Sequence, residues 1–234
     1  MDIRHATLLV TGANRGLGLA FARAALAAGA RKVYAAARDS ASVTLAGVEP
    51  LQLDVTNPQH AEEAARRCGD VTLLINNAGI ARGSSLLAAG GPEALREELE
   101  TNCFGPLSLS RAFAPVLAAH GGGAIVNMLS VLSWVNLPGG STYCTSKSAA
   151  WGLTNGLRNE LRAQGTLVVG VHVGFMDTDL VRHVEAPKAS PDDVAAQVFA
   201  AVEAGREEVL ADALSRQVKH GLAAEPGVYL RPAG

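Results

Sequence analysis

The chain has 234 residues, 48% of them hydrophobic and 18% charged, with a net charge of −2 at pH 7. Such a composition excludes a disordered chain. It also lacks the basic excess that would make nucleic acid or an anionic membrane the default partner. The length suits a single domain able to bury a large core. Met1 to His5 leads into a short apolar run with no secretory core and cleavage site. The alanine-rich stretch after Gly18 is broken by Arg23 and is too short to span a bilayer. Three cysteines, Cys68, Cys103 and Cys144, lack Cys-x-x-Cys spacing. They read as free thiols, not as a disulfide framework or zinc site. A cytoplasmic location follows by exclusion.

In chain order, strands alternate with helices. Residues 6–11 form a continuous apolar strand, and 15–28 have helical spacing ended by Gly29. A second strand covers 32–37 and a third 51–54. The gap between them leaves room only for a helix remnant. Residues 58–68 form a helix with Pro58 in its first turn, and 71–76 a fourth strand. Segments 92–102 and 106–120 read as a helix pair or one bent helix. A fifth strand spans 124–130, and a long helix 142–164 is capped by Ser141 or Thr142 and ended by Gly165. A sixth strand at 167–173, a helix at 192–204 and a seventh strand at 208–211 follow; the tail from Arg216 is left undetermined. This alternation predicts an α/β fold: one doubly wound parallel sheet of the Rossmann type, about seven strands, with helices on both faces. No linker interrupts residues 1–234, so one domain is expected.

Thr11-Gly12-Ala13-Asn14-Arg15-Gly16-Leu17-Gly18 lies between the first strand and the first helix. Its spacing is G-x-x-x-G-x-G. Glycines there permit a sharp turn and close backbone approach to a pyrophosphate, beside the positive end of a helix. At the end of the second strand, Ala37 stands where an acid would select NAD, and Arg38 follows. With Arg15, Arg38 can grip a 2′-phosphate, which favours NADP(H). The competing reading leaves Arg38 in solvent and turns Asp39 inward.

Ser130 ends the fifth strand, and Tyr143 and Lys147 stand one turn apart on the long helix. That spacing puts both on one helix face. A phenol is a weak acid in water. A neighbouring ammonium is expected to lower its pKa, and the serine hydroxyl can hold a carbonyl oxygen beside it.

With these residues the sequence resembles the short-chain dehydrogenase/reductase family in its common cytosolic form, over roughly residues 6–215. The resemblance rests on TGANRGLG at 11–18, LDVT at 53–56, NNAG at 76–79, Asn102, Ser130, YCTSK at 143–147 and VGFMDT at 173–178. Ala37-Arg38 looks like the NADPH-dependent carbonyl reductases of that family. The resemblance implies a catalytic tetrad of Asn102, Ser130, Tyr143 and Lys147, with Asn102 bending its helix and holding a relay water. Gly12, Asn14, Arg15, Gly16, Leu17 and Gly18 then bind the pyrophosphate. Asp54 and Val55 frame the adenine, while Asn77, Ala78 and Gly79 line the ribose beside Asn76. Lys147 bonds the nicotinamide ribose, and Gly174, Phe175 and Thr178 meet the nicotinamide end. The implied reaction is hydride transfer to a ketone or aldehyde carbon while Tyr143 protonates the oxygen, with the secondary alcohol oxidised in reverse. Val173 replaces the usual proline before Gly174. No insertion precedes the tyrosine, which implies a homodimer or homotetramer through the long helices.

Candidate substrate walls are Leu132, Trp134, Val135, Leu137, Phe175, Met176, Leu180 and Val181, with 176–190 as a short substrate loop. They suit a small carbonyl compound with apolar or aromatic substituents. Trp134 and Leu137 serve equally well as subunit or lid packing. His5, His60, His120, His172 and His220 show no ligand spacing, so no metal is expected, and His172 reads as a packed strand residue. The charges at 93–100 read as a solvated helix face. Alternative functions are an alcohol or hydroxysteroid dehydrogenase acting oxidatively, a non-catalytic NADP-binding regulator, and a scaffold that keeps the fold without coenzyme.

Overall fold

All five residues of β1 (Thr7–Thr11) are buried in the computed structural model, which describes residues 1–177 and 188–230. A strand with no wet face belongs inside a parallel sheet covered on both sides. Six more parallel strands complete it: β2 (Lys32–Ala37), β3 (Glu49–Gln52), β4 (Leu73–Asn76), β5 (Ala124–Met128), β6 (Leu167–His172) and β7 (Glu208–Leu210). Their order is β3-β2-β1-β4-β5-β6-β7. The winding reverses between β1 and β4, which opens a crevice at their carboxyl ends.

Alternate side chains enter opposite layers. Leu8 and Val10 pack on one side with α1 (Gly16–Ala27) and α6 (Pro191–Glu203), where the Phe21 and Phe199 rings lie 5.8 Å apart. Leu9 packs on the other side with α2 (Pro58–Arg67), α4 (Gly105–Ala119) and α5 (Ser141–Leu161), through Phe113, Leu117 and Leu157. Each such side chain contributes about 1.5–3 kcal/mol by leaving water.

The short gap between β2 and β3 holds only a 3-10 turn, Ser40–Ser42. The expected helix pair is one bent run: α3 (Gly91–Leu99), a π turn Glu100–Phe104, then α4. Gly105 N–H reaches back to the Glu100 carbonyl, and Pro106, which has no N–H to give, follows directly. The extra residue in that turn leaves Asn102 buried. Neither Ser141 nor Thr142 caps α5; Gly140 occupies that position. The tail holds one more helix, α7 (Ala213–Gly221), whose first turn is capped by Asp212. Its buried stripe is only Ser215 and Val218, too sparse to show as periodicity. No helix among the described residues is long and apolar enough to cross a membrane.

Candidate active site

The turn after β1 is built to let something approach its backbone. Gly12 has φ +65°, and a Cβ on Gly18 would stand 2.1 Å from the Gly12 carbonyl oxygen. Only a bare backbone fits. The Thr11 hydroxyl accepts from the N–H groups of Asn77 (2.9 Å) and Ala78 (3.0 Å), and Asn77 Nδ2 donates to the Thr11 carbonyl at 2.8 Å. Gly12, Asn14, Gly16, Leu17, Gly18, Asn77 and Ala78 are thus brought to one place, at the switch between β1 and β4. No side chain caps the first turn of α1, so its N–H groups suit a phosphate. The site fits a dinucleotide.

Beyond β2, Ala37 is buried while Arg38 and Asp39 are exposed. Asp39 is committed elsewhere: its Oδ1 accepts from Ala41 N–H at 3.0 Å and caps the 3-10 turn. Burial pushes the Asp54 carboxyl up, but hydrogen bonds from the Thr56 N–H (3.0 Å) and hydroxyl (2.8 Å), with the nearby Arg38 guanidinium, leave it below its usual range. Asp54 N–H donates to His60 Nδ1 at 3.1 Å. Val55 is buried against Gly105, where a Cβ would meet it at 3.0 Å.

Across the crevice, three helices and a strand end converge. Asn102 Oδ1 accepts from Ile80 N–H at 2.9 Å; its Nδ2 donates to the Ile80 carbonyl at 2.9 Å and to Ser146 Oγ at 3.0 Å. Gly79 lies in this corner, where a Cβ would meet Asn102 Oδ1 at 3.1 Å and Lys147 Nζ at 3.8 Å. Ser130 starts a 3-10 turn, accepts from Leu132 N–H at 3.1 Å and donates to the Val173 carbonyl at 3.3 Å. Lys147 Nζ donates to the Met128 carbonyl at 2.8 Å and stands 5.7 Å from the centre of the Tyr143 ring. Beneath them, Asn76 Nδ2 donates to Asn127 Oδ1 (2.8 Å) and Asn127 Nδ2 to Thr154 (3.0 Å), fixing the sheet to α5.

The titration of this group corrects one expectation. Burial lowers Lys147 to about 8 and raises the Tyr143 phenol well above its usual range. Cys144 and Glu98 push the phenol the same way, and the Ser130 hydroxyl alone pulls it down. Lys147 does not depress it here, because the ammonium is aimed at the Met128 carbonyl in a crevice that penalises charge on both groups.

At the third edge, Gly174 N–H donates to Asp212 Oδ2 at 2.6 Å, and the carbonyl of half-buried Phe175 accepts from Ala189 N–H at 2.8 Å. Leu132 is half-buried and Leu137 is 38% exposed at the rim. Trp134 is placed differently from the expected substrate wall. It stacks on His172 with centroids 3.7 Å apart, meets Trp151 edge-on and carries Lys219 over its ring. It packs α7 onto the sheet. Thr178, Leu180, Val181, Arg182 and His183 lie outside the described residues. His172 is fully buried; burial lowers it to about 4, and its Nδ1 lies 3.1 Å from the Ser130 carbonyl. Among the described residues no cluster of three potential metal ligands occurs.

Sequence reasoning missed Glu98. It is not on a solvated face but fully buried, accepting from the N–H of Arg82. Its spacing of four from Asn102, one turn along the same helix, was the available signal. Thr142 and Asp212 left no such trace, because their partners are distant in sequence.

Comparison with known proteins agrees with this geometry. The short chain dehydrogenase family profile matches residues 6–189. The 3-oxoacyl-(acyl-carrier-protein) reductase FabG of Escherichia coli is 31% identical over 215 residues, 88% of this chain and 85% of its own. A short chain dehydrogenase from Burkholderia cenocepacia, solved in complex with NADP, superposes with a TM-score of 0.92 at 42% identity, covering 97% of this chain and 96% of its own. A short chain dehydrogenase/reductase from Burkholderia phymatum, in complex with NAD, gives 0.84 at 25% identity, covering 100% of this chain and 99% of its own. With its profile, its relatives and its seven-stranded parallel sheet in agreement, the chain belongs to the short-chain dehydrogenase/reductase family of oxidoreductases.

Proposed function

We propose that the protein is an NADPH-dependent reductase of ketones or aldehydes, with Tyr143 as its general acid. The observation that carries this reading is the placement of three side chains: Lys147 Nζ stands 5.7 Å from the centre of the Tyr143 ring, and the Ser130 hydroxyl lies beside the phenol. A phenol carries its proton at neutral pH and can donate it to a developing alkoxide. When bound, the coenzyme supplies the hydride. Ser130 orients the carbonyl oxygen toward the phenol. Lys147, fixed by the Met128 carbonyl beside the phenol, would bond the nicotinamide ribose, and Asn102, which bends its helix at the π turn, would hold the relay water through which the phenol regains its proton.

For the coenzyme, Arg38 and Arg15 would hold the 2′-phosphate. Asp39, engaged in capping its turn, is not turned toward the ribose. The NADP complex of the relative at 42% identity supports the same choice. Leu132, Leu137 and Phe175 would border a substrate with apolar or aromatic substituents, and Asp54, Val55, Gly79 and Gly174 would border the coenzyme. Residues 1–234 are read as one domain. The exposed Phe104 on the bent helix supports association through α4 and α5.

The test is NADPH consumption across apolar ketones, keto esters and aldehydes, with NADH in parallel and the corresponding alcohols with NADP+. Turnover of ketones with NADPH at least about tenfold above NADH is expected. Binding of NADPH without turnover on the whole panel would mean a non-catalytic binder, and preference for alcohol oxidation would reverse the direction.

A further inference from the structure

Residues 80–84 carry the chain away from the end of β4, past the helices that supply Asn102 and Tyr143. They belong to no strand, yet three side chains occupy their backbone. Asn102 holds both polar groups of Ile80 at 2.9 Å. Glu98 Oε1 accepts from the N–H groups of Arg82 (2.6 Å) and Gly83 (3.4 Å). The Thr142 hydroxyl accepts from Ser84 N–H at 3.3 Å, and Thr142 returns its own N–H and hydroxyl to the Ser84 carbonyl, each at 3.1 Å. The segment is a strap tied at one end to the π turn and at the other to the residue before Tyr143.

Glu98 is the middle tie, and it is an expensive one. Its side chain is fully buried, and Oε2 has no hydrogen-bond partner among the described residues. The guanidinium of Arg82 does not neutralise it, because that group pairs with Glu97 on the surface at 2.6 Å. A buried carboxylate without a counter-ion destabilises a fold. Two amide donors would be served equally by an uncharged acceptor, so the tie asks for an oxygen at this place rather than for a charge.

We propose that Glu98 is a positioning residue, which fixes the strap 80–84 across the first turn of α5 and thereby the place of Tyr143 relative to Asn102 and Lys147. The proposal rests on the Tyr143 reading given above. The groups that face the phenol are Lys147 and Cys144 from its own helix, Ser130 from the end of β5 and Glu98 from α3. Glu98 and Cys144 oppose its ionisation and Ser130 favours it.

The experiment compares Glu98→Ala, Glu98→Gln and, as a surface control, Glu97→Gln. Amide hydrogen exchange is read in the free protein, and kcat and KM with NADPH and a turned-over ketone. In Glu98→Ala, exchange at Arg82 and Gly83 should accelerate at least about tenfold. Its kcat should fall about ten- to a hundredfold, with the NADPH KM within about twofold. Glu98→Gln keeps an acceptor, so exchange stays slow and kcat near wild type. Glu97→Gln changes neither. If Glu98→Ala does not fold, Glu98→Asp, too short to reach both donors, replaces it. Unchanged exchange at Arg82 and Gly83, or faster exchange with kcat untouched, overturns the proposal. Exchange is read without substrate, so a failure of the Tyr143 reading leaves that result standing and is told apart from a failure of the strap.

Discussion

The two sides of the crevice are made of opposite materials. On the β1–β2 side the charged groups lie at the surface: Arg15 and Arg38 are exposed, and half-buried Asp54 is held mainly by its own turn. On the β4–β6 side Asn102, Ser130 and Lys147 are only 2%, 6% and 5% exposed, and each is bonded to backbone of another element. A guanidinium can grip a phosphate from solvent, because a bidentate contact brings its own geometry. Proton transfer needs the dry side, where dipoles are fixed in advance and electrostatic terms are larger. Substitutions on the wet side should therefore act singly and on KM. Those on the dry side should act on kcat and fail to add.

The largest effect tests the dry side. Tyr143→Phe removes one hydroxyl from a half-buried ring and should lower turnover about 10²–10⁴-fold. NADPH affinity should stay within about threefold, read by fluorescence titration. Retained turnover would remove the acid from the mechanism and the reason for the dryness.

The second effect measures what that dryness costs. Lys147 titrates at about 8 in the fold against an ordinary 10.5. Between those values the unfolded chain binds more protons than the native one, so stability rises with pH across that window and is lowest below pH 8. Lys147→Met should remove that rise. At pH 7 it should be more stable by about 2 kcal/mol: about 3 for the ammonium no longer buried, less about 1 for the hydrogen bond lost at Met128. Denaturant titrations of both proteins from pH 7 to about 9.5 would show it as the difference between them, because Cys68, Cys103 and Cys144, whose thiols burial raises, contribute with the opposite sign near pH 9 in both. A variant that is less stable and keeps the pH slope would mean the ammonium is solvated.

How much of this was legible in the sequence follows the same division. The phosphate turn and the Tyr143–Lys147 pair are local: glycine spacing and an i,i+4 interval survive as patterns whatever surrounds them. The dry side is made of distant ties. Thr142 binds Ser84, Glu98 binds Arg82, and His172 meets Ser130, across 58, 16 and 42 residues. No periodicity records such pairs. Trp134 shows the converse error: an aromatic beside a strand end looks like a substrate wall, and whether it faces a crevice or a helix depends on α7, whose short amphipathic stripe was not read. The charges around Glu98 misled for a similar reason. A run of acids averages to a wet surface, and one member can still turn inward when backbone N–H groups wait there.

On the wet side, Arg38→Ala should raise the NADPH KM about tenfold and leave NADH within about twofold, measured with the same ketone. An equal effect on both coenzymes would mean that Arg38 acts through the Asp54 carboxyl, which it helps to hold ionised, and not on a phosphate.

The smallest effect lies where α7 meets the loop leaving β6 at Gly174. Asp212 divides its carboxylate: Oδ1 takes Ser215 N–H at 2.7 Å and caps α7, while Oδ2 takes Gly174 N–H at 2.6 Å. A Cβ on Gly174 would stand 3.1 Å from that oxygen, so the backbone is drawn in as closely as a glycine allows. Asp212→Asn separates the two bonds. Asparagine is as good an N-cap as aspartate, so its oxygen stays with Ser215, and its NH₂ then opposes the Gly174 N–H donor to donor. The helix should hold, with a loss of about 1 kcal/mol, while the loop leaving β6 shifts and the NADPH KM rises about threefold at nearly constant kcat. A rise in KM with little loss of stability would show that Gly174 belongs with the coenzyme and behaves as the wet side does. If kcat fell instead, α7 would be part of the dry side, and the boundary between the two would run through the carboxylate of Asp212.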